Sequence, residues 1–191
     1  MNFQPLLDRF QIQVKADDLL KRWAAPHRKY HTQPHLDDLV QQIEAKSDLQ
    51  DHEKNLLFIA ALFHDIVYDP KRHDNEERSA QLLEQNSPNT PEIQHIAQII
   101  RDTKDHIPSD PLSALFSDMD MAIVTRPLPD LLEWEKGIRF EYSHYSNLAY
   151  KFGRLRFIQT MRKRYPANSK NLRTLQWYIL LPKFVNLLYI K

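Results

Sequence analysis

The chain has 191 residues, enough for one domain with an ample core, and its 26 basic and 25 acidic residues leave a net charge of +1. That balance excludes whole-chain recruitment by nucleic acid or by an anionic membrane, so any phosphate must be held by a local cluster. Cysteine is absent, which excludes disulfides and thiolate ligands; a metal would have to be held by imidazole and carboxylate, and nine histidines are present.

The only glycines are Gly137 and Gly153, no Asn-Gly or Asp-Gly pair occurs, and twelve prolines fall between apolar-periodic runs. Tight hairpins lack their usual turn residues, and the prolines punctuate helices, so an all-α fold is expected. The first helical run spans about Pro5 to Trp23, carried by Leu6, Leu7, Phe10, Val14 and Leu20. A second starts at Pro34, a good first-turn residue, and carries Leu36, Leu39, Val40 and Ile43. A third runs from Asp51, read as its N-cap, to about Phe63. A fourth starts at Asp74, with Glu77 three residues on as in a capping box. A fifth follows Thr90-Pro91 and a sixth follows Asp110-Pro111. Two or three more fill Asp130 to Leu180, split near Asn147 and near Pro166-Ala167-Asn168. No repeat or Gly/Ser-rich linker appears, so 1–191 reads as one compact helical domain, with a core over about 28–165 and a C-terminal helical extension over 166–191. The start, MNFQPLLDRFQ, lacks a basic segment followed by an apolar one, and the most apolar stretch, Trp177 to Ile190, is interrupted by Pro182, Lys183 and Asn186. A cytoplasmic protein without membrane contact is expected.

Three histidines and a set of aspartates carry the chemistry. His64 and Asp65 end the third helix, and Leu57, Ala60 or Ala61 and His64 share a face, which points the imidazole inward with a carboxylate beside it. Burying both without partners is costly, and a divalent cation would supply the partner. Pro34 puts His35 in the first turn of the second helix, on the face of Leu39 and Ile43, while His31 lies just before that helix and can overhang the same place. Asp118 and Asp120 sit among apolar residues; one of them can cap the next helix, Asp118 being assigned to capping or support and Asp120 to the metal, with the reverse left open.

A histidine on one helix, a His-Asp pair ending another and a distant aspartate resemble the HD-domain superfamily of metal-dependent phosphohydrolases. Tyr30-His31-x-x-x-His35 is also similar to the corresponding segment of cyclic-nucleotide phosphodiesterases. A bacterial subgroup described as predicted HD phosphohydrolases is similar over Phe63-His64-Asp65-x-x-Tyr68-Asp69-Pro70, Asp74 to Ala80, Thr103-x-x-His106, Asp118-x-Asp120, Ile138-Arg139-x-Glu141-Tyr142 and Gly153-Arg154. The resemblance implies metal ligation by His35, His64, Asp65 and Asp120, and a general-acid role for His31.

In such a site Asp65 and Glu76 would orient the attacking water, and a proton given to the leaving oxygen by His31 is worth roughly 10²–10⁴-fold in rate. Two imidazoles with two carboxylates suit Mn, Fe, Co, Ni or Zn better than Ca, with Mg also retained, and His106 can serve a second ion or the substrate. Lys71, Asn75, His106 and Arg139 are the candidate substrate-binding residues, Arg139 first among the basic ones because a guanidinium forks onto phosphate. His27, His52, His73, His95 and His144 read as surface or locally hydrogen-bonded residues. The basic, aromatic tail from Lys151 is read as packing or as a homodimer surface rather than as a nucleic-acid surface. The expected activity is hydrolysis of a phosphomonoester, phosphodiester or pyrophosphate bond in a small molecule such as a nucleotide; the alternative is a non-catalytic nucleotide- or metal-binding module on the same scaffold.

Overall fold

The computed structural model describes residues 1–181, and its regular elements are helices, with no strand among the described residues. The all-α expectation therefore holds. The chain divides into two compact units, the first ending at Asp120 and the second starting at Met121. No linker marks that boundary: it falls between consecutive residues of helical structure, which is why a search for Gly/Ser-rich or Pro-rich segments finds no division there.

The first unit contains α1 (Gln4–Arg9), α2 (Ala16–Trp23), α3 (Gln33–Glu44), α4 (Asp51–Phe63), α5 (Asn75–Gln85), α6 (Pro91–Asp102) and α7 (Pro111–Asp120). Every residue of α4 from Leu56 to Phe63 is buried. A helix that is apolar all round belongs in the middle of a bundle, and α4 packs against α1, α3, α5, α6 and α7. It thereby delivers His64, the residue after its last turn, into the interior.

The single run expected from Pro5 to Trp23 is two helices. The chain turns at Gln11, whose φ is 54°. Ile12 N–H donates to Leu7 O at 2.9 Å and Gln11 N–H to Asp8 O at 3.0 Å, the pair of bonds that closes a Schellman motif. Glutamine holds the left-handed position usually taken by glycine, so the sequence carries no visible stop signal.

Two cap assignments also change. The N-cap of α4 is Gln50 rather than Asp51, and Glu53 accepts a hydrogen bond from Gln50 N–H at 2.9 Å. Asp74 stands at the N-cap of α5 but makes no side-chain cap there; its carboxylate accepts from Arg72, and Glu77 turns outward to Arg101 instead of closing a capping box. Both are cases of an arginine outcompeting the backbone for a carboxylate. Thr90 does cap α6, accepting from Ile93 N–H, and Asp110 accepts from Leu112 and Ser113 N–H at the start of α7.

The second unit holds α8 (Leu128–Glu141), α9 (Asn147–Arg164) and α10 (Ser169–Leu180), with 3-10 turns at Met121–Thr125 and Pro166–Asn168. The splits expected near Asn147 and Pro166 are where the helices break. Its interior contains an ionic cluster: Glu135 accepts from Tyr150 Oη at 2.6 Å and from Arg154 Nε at 2.7 Å, and all three residues are buried. The extension expected over 166–191 is described as far as Leu181; the rest of it, with Pro182, Lys183, Phe184, Asn186 and Tyr189, lies outside the described residues. No helix among the described residues is long and apolar enough to cross a membrane.

Candidate metal centre

Three elements of the first unit bring one side chain each to a common point. Thr32 O accepts from His35 N–H at 2.9 Å, which starts α3 and fixes His35 in its first turn. His64 follows α4 directly, its N–H bonded to Ala60 O at 2.8 Å. Asp120 ends α7. One ligand atom from each of His35, His64 and Asp120 lies within 4.8 Å of the others. The imidazoles are buried, and the Asp120 side chain is 14% exposed.

The His64 ring is held from behind. Its Nδ1 sits 3.0 Å from Ala61 O, so that nitrogen carries a proton and donates it to the carbonyl, which leaves Nε2 facing the group. His35 Nε2 is 3.0 Å from Asp120 Oδ1, and His64 Nε2 is 3.6 Å from the same oxygen and 3.1 Å from Asp65 Oδ2. Yet neither Nε2, though buried, makes a hydrogen bond. Proximity without hydrogen-bond alignment is what ligand atoms show when they aim at a shared point instead of at one another. A transition metal at about 2.0–2.2 Å from nitrogen and oxygen ligands suits that convergence. The residues therefore fit a divalent cation, with the neutral imidazole and ionised carboxylate donors that such ions take.

The electrostatics point the same way. Burial alone would lower the His64 pKa, but the carboxylates of Asp65 and Asp120 outweigh it and raise it to about 9. Burial works against ionisation of Asp120, but His35 and His64 bring its pKa down to about 2. Asp65 is held ionised in the same way, chiefly by His64 and His31. The metal-free site thus keeps two ionised carboxylates in the interior against a protonated His64, and a divalent cation would take the place of that proton.

Asp65 stands beside the three-residue group rather than within it, with Oδ2 also 4.0 Å from His31 Nε2. His31 itself reaches the site: its ring centroid is 6.1 Å from that of His35 and 4.4 Å from that of Tyr68. Glu76 is half-buried; burial, with the Asp65 charge added, pushes its carboxyl above the usual range. His106 takes a left-handed backbone, φ 51°, and its Nδ1 lies 3.2 Å from Ser117 Oγ. A non-glycine residue in that region is strained, which marks the turn as one held by its surroundings.

Other candidates are otherwise engaged. Asn75 is buried; its Oδ1 accepts from Asp69 N–H and its Nδ2 donates to Asp69 O, so it pins the loop that follows Asp65. Lys71 is exposed on that loop. Arg139 lies in the second unit, where its guanidinium donates to Tyr142 O at 2.9 Å and to Asn147 Oδ1 at 2.7 Å and lies over the Tyr150 ring. Asp118 is exposed within α7, and α8 begins after Pro127, so no cap from Asp118 to the following helix forms.

Around the group stand two residues to which the sequence assigned no role, Trp23 and Arg28, and a third, Tyr68, that entered only through the family resemblance. Trp23, fully buried, puts its ring 5.5 Å from His64 and donates Nε1–H to Leu62 O. Tyr68 contacts His31 and runs nearly parallel to His27, at 6° and 6.3 Å; His27 is exposed with its Nε2 3.0 Å from Tyr68 O, in keeping with its reading as a surface or hydrogen-bonded residue. Arg28 is buried between them. Trp23 ends α2 and reads as one more core position of that helix, while His27, Arg28 and Tyr68 stand in irregular segments where no helical phase marks them.

Residues 35–123 match the family model of the HD domain. The chain carries an HD domain. That family is one of metal-dependent phosphohydrolases, and the match begins on His35 and takes in His64, Asp65 and Asp120. It leaves His31, Arg139 and the Gly153-Arg154 stretch outside. No curated protein and no solved structure matches the chain.

Proposed function

We propose that this chain is a metal-dependent phosphohydrolase in which His35, His64 and Asp120 hold a divalent cation, with Asp65 as a fourth ligand or at its edge. The observation that carries this reading is the pair of buried histidine Nε2 atoms, each within 3.1 Å of a carboxylate oxygen but without a hydrogen bond, in a stretch that matches the HD domain. When bound, a divalent cation would make a water nucleophilic near neutral pH and offset charge on a phosphoryl oxygen.

The chain's own groups would do the rest. Asp65, ionised, accepts a hydrogen bond from the attacking water and orients it. His31, protonated, gives its proton to the leaving oxygen, which cuts the energy of bond cleavage. Glu76, whose proton affinity is raised by burial, is placed near Asp65 to take the proton the water loses. His106 and Lys71 are the groups proposed to meet the substrate's phosphate. Arg139 would first have to leave the acceptors it already serves. A nucleotide is the proposed substrate class, with the rings of His31 and Tyr68, 4.4 Å apart, as the aromatic group that a base would meet.

The full-length protein, freed of metal and reloaded with Mn, Ni or Zn, is assayed on phosphomonoester, phosphodiester and pyrophosphate substrates, nucleotides among them. Stoichiometric metal and turnover that vanish together in His64→Ala and Asp120→Ala are expected. Metal bound at one per chain with no turnover on any substrate favours the non-catalytic module. Absence of stoichiometric metal after reloading overturns both.

A further inference from the structure

Arg28 is 5% exposed and belongs to no helix, lying in the segment between α2 and α3. Burying a guanidinium is costly unless its donors are used, and the bonds it makes are unusual in their destinations. Nη1 donates to His31 O at 3.1 Å; Nη2 donates to Asp65 O at 2.8 Å and to Ile66 O at 3.3 Å. The group also lies 5.3 Å from the Trp23 ring and 5.1 Å from the Tyr68 ring. One side chain thus ties the backbone of His31 to the backbone of Asp65.

The geometry points to Arg28 as a positioning residue that sets His31 against the metal group. The claim rests on the reading of His31 as proton donor. No regular element holds His31: the residues between α2 and α3 have no helix of their own, so their register relative to α4 must come from tertiary contacts. Asp65 O and Ile66 O lie just beyond α4, where carbonyls run out of helical partners and the helix end is negative. A cation is favoured there, and a planar fork can reach carbonyls on two separate segments at once, whereas a lysine ammonium at the end of a flexible stem cannot hold them in a fixed relation. Tyr68 completes the arrangement, since it contacts both the guanidinium and the His31 ring. His35 and Asp120 sit on α3 and α7 and His64 directly follows α4, so these three ligands do not depend on Arg28 for their placement, whereas Asp65, at the edge of the group, is bonded to it through its carbonyl.

Arg28→Lys and Arg28→Met are made in the full-length chain, alone and combined with His31→Ala. Metal affinity, kcat and KM on the best substrate found, and two-dimensional NMR of the metal-free protein are measured. Arg28→Lys is expected to keep metal affinity within about threefold and to lower kcat by about 100-fold with little change in KM, because a misplacement of about 1 Å at a catalytic group costs that much. In the His31→Ala background the same change should lower kcat by less than about threefold, since the residue it positions is gone. Full additivity of the two losses, or a fall in metal affinity that matches the fall in kcat, overturns the assignment. The NMR arm is independent of activity. Cross-peaks between the His31 and Tyr68 rings should weaken in Arg28→Lys while those between His64 and Trp23 persist. If the wild-type protein hydrolyses nothing, the phosphohydrolase reading fails and the NMR result alone decides: unchanged His31 cross-peaks then overturn the positioning role.

Discussion

Burial alone would favour the neutral imidazole of His64, yet the carboxylates of Asp65 and Asp120 raise its pKa to about 9. In the metal-free protein at pH 7 this ring therefore holds a proton, while Asp120, near 2, has already lost its own. A metal takes imidazole only in its neutral form, so loading the site must displace about one proton per ion at pH 7. Calorimetric titration in two buffers of different ionisation enthalpy should show that release, with affinity rising as the pH approaches 9. Equal heats in both buffers would contradict it. The same shift predicts a stability trend. A folded pKa near 9 lies above the ordinary histidine value of 6.5, so the stabilisation from His64 is complete below pH 6.5 and is lost as the pH rises through 9. Metal-free protein should therefore melt at lower temperature at pH 9.5 than at pH 6.5, and His64→Gln should flatten that dependence. At this scale His35 and His64 were legible because helical phase turns them inward, and Asp120 because a carboxylate among apolar residues invites a partner. The choice of Asp120 over Asp118 needed the family resemblance, which is also the only place where Tyr68 stood out, and Arg28 was invisible because no periodicity governs a residue outside a helix.

Helices whose ends are marked by proline or by Ser, Thr and Asp caps were readable, α6 and α7 being the clearest, because those residues act on the backbone locally. Ends set by other means were not. The break between α1 and α2 is made by Gln11 in the left-handed region, and a sequence search for glycine cannot find it. That position has a measurable consequence. A residue with a Cβ held at φ 54° is strained by roughly 1 kcal/mol relative to glycine. Gln11 is exposed, so little packing is lost on substitution. Gln11→Gly should stabilise the protein by up to about 0.5 kcal/mol, because glycine's extra freedom in the unfolded chain offsets much of the strain. Gln11→Val should destabilise it, since a β-branched residue tolerates that region worst. Chemical denaturation with an unchanged slope measures both; a destabilising Gln11→Gly would mean that the turn is not under strain. Elsewhere, an arginine decides. Asp74 and Glu77 have the spacing of a capping box, but Arg72 and Arg101 claim their carboxylates, and no local pattern reports such competition from outside the helix.

The metal group belongs wholly to the first unit, and the second is organised around an ionic interior of its own. Glu135 receives Tyr150 and Arg154, and Arg154 lies 4.0 Å from the Trp134 ring centroid with its Nη2 buried and without a hydrogen bond. Burial, with the Glu135 charge added, pushes the Tyr150 hydroxyl far above its usual pKa, so it stays a donor at any physiological pH. Removing Glu135 strands a buried guanidinium and a buried phenol together, and losing one partner of such a pair costs roughly 3–5 kcal/mol. Glu135→Leu in the full-length chain should therefore lower the stability of the second unit by about that amount. Because His35, His64 and Asp120 lie at or before the boundary at Asp120, the division predicts that metal affinity stays within about threefold of wild type. Thermal unfolding followed by tryptophan fluorescence distinguishes the units, since Trp23 reports on the first and Trp134 and Trp177 on the second. An early transition in Glu135→Leu carried by the second unit's tryptophans, with Trp23 and bound metal holding to the wild-type temperature, is the expected result. A single transition that shifts all signals and releases the metal together would show that the two units unfold as one cooperative body.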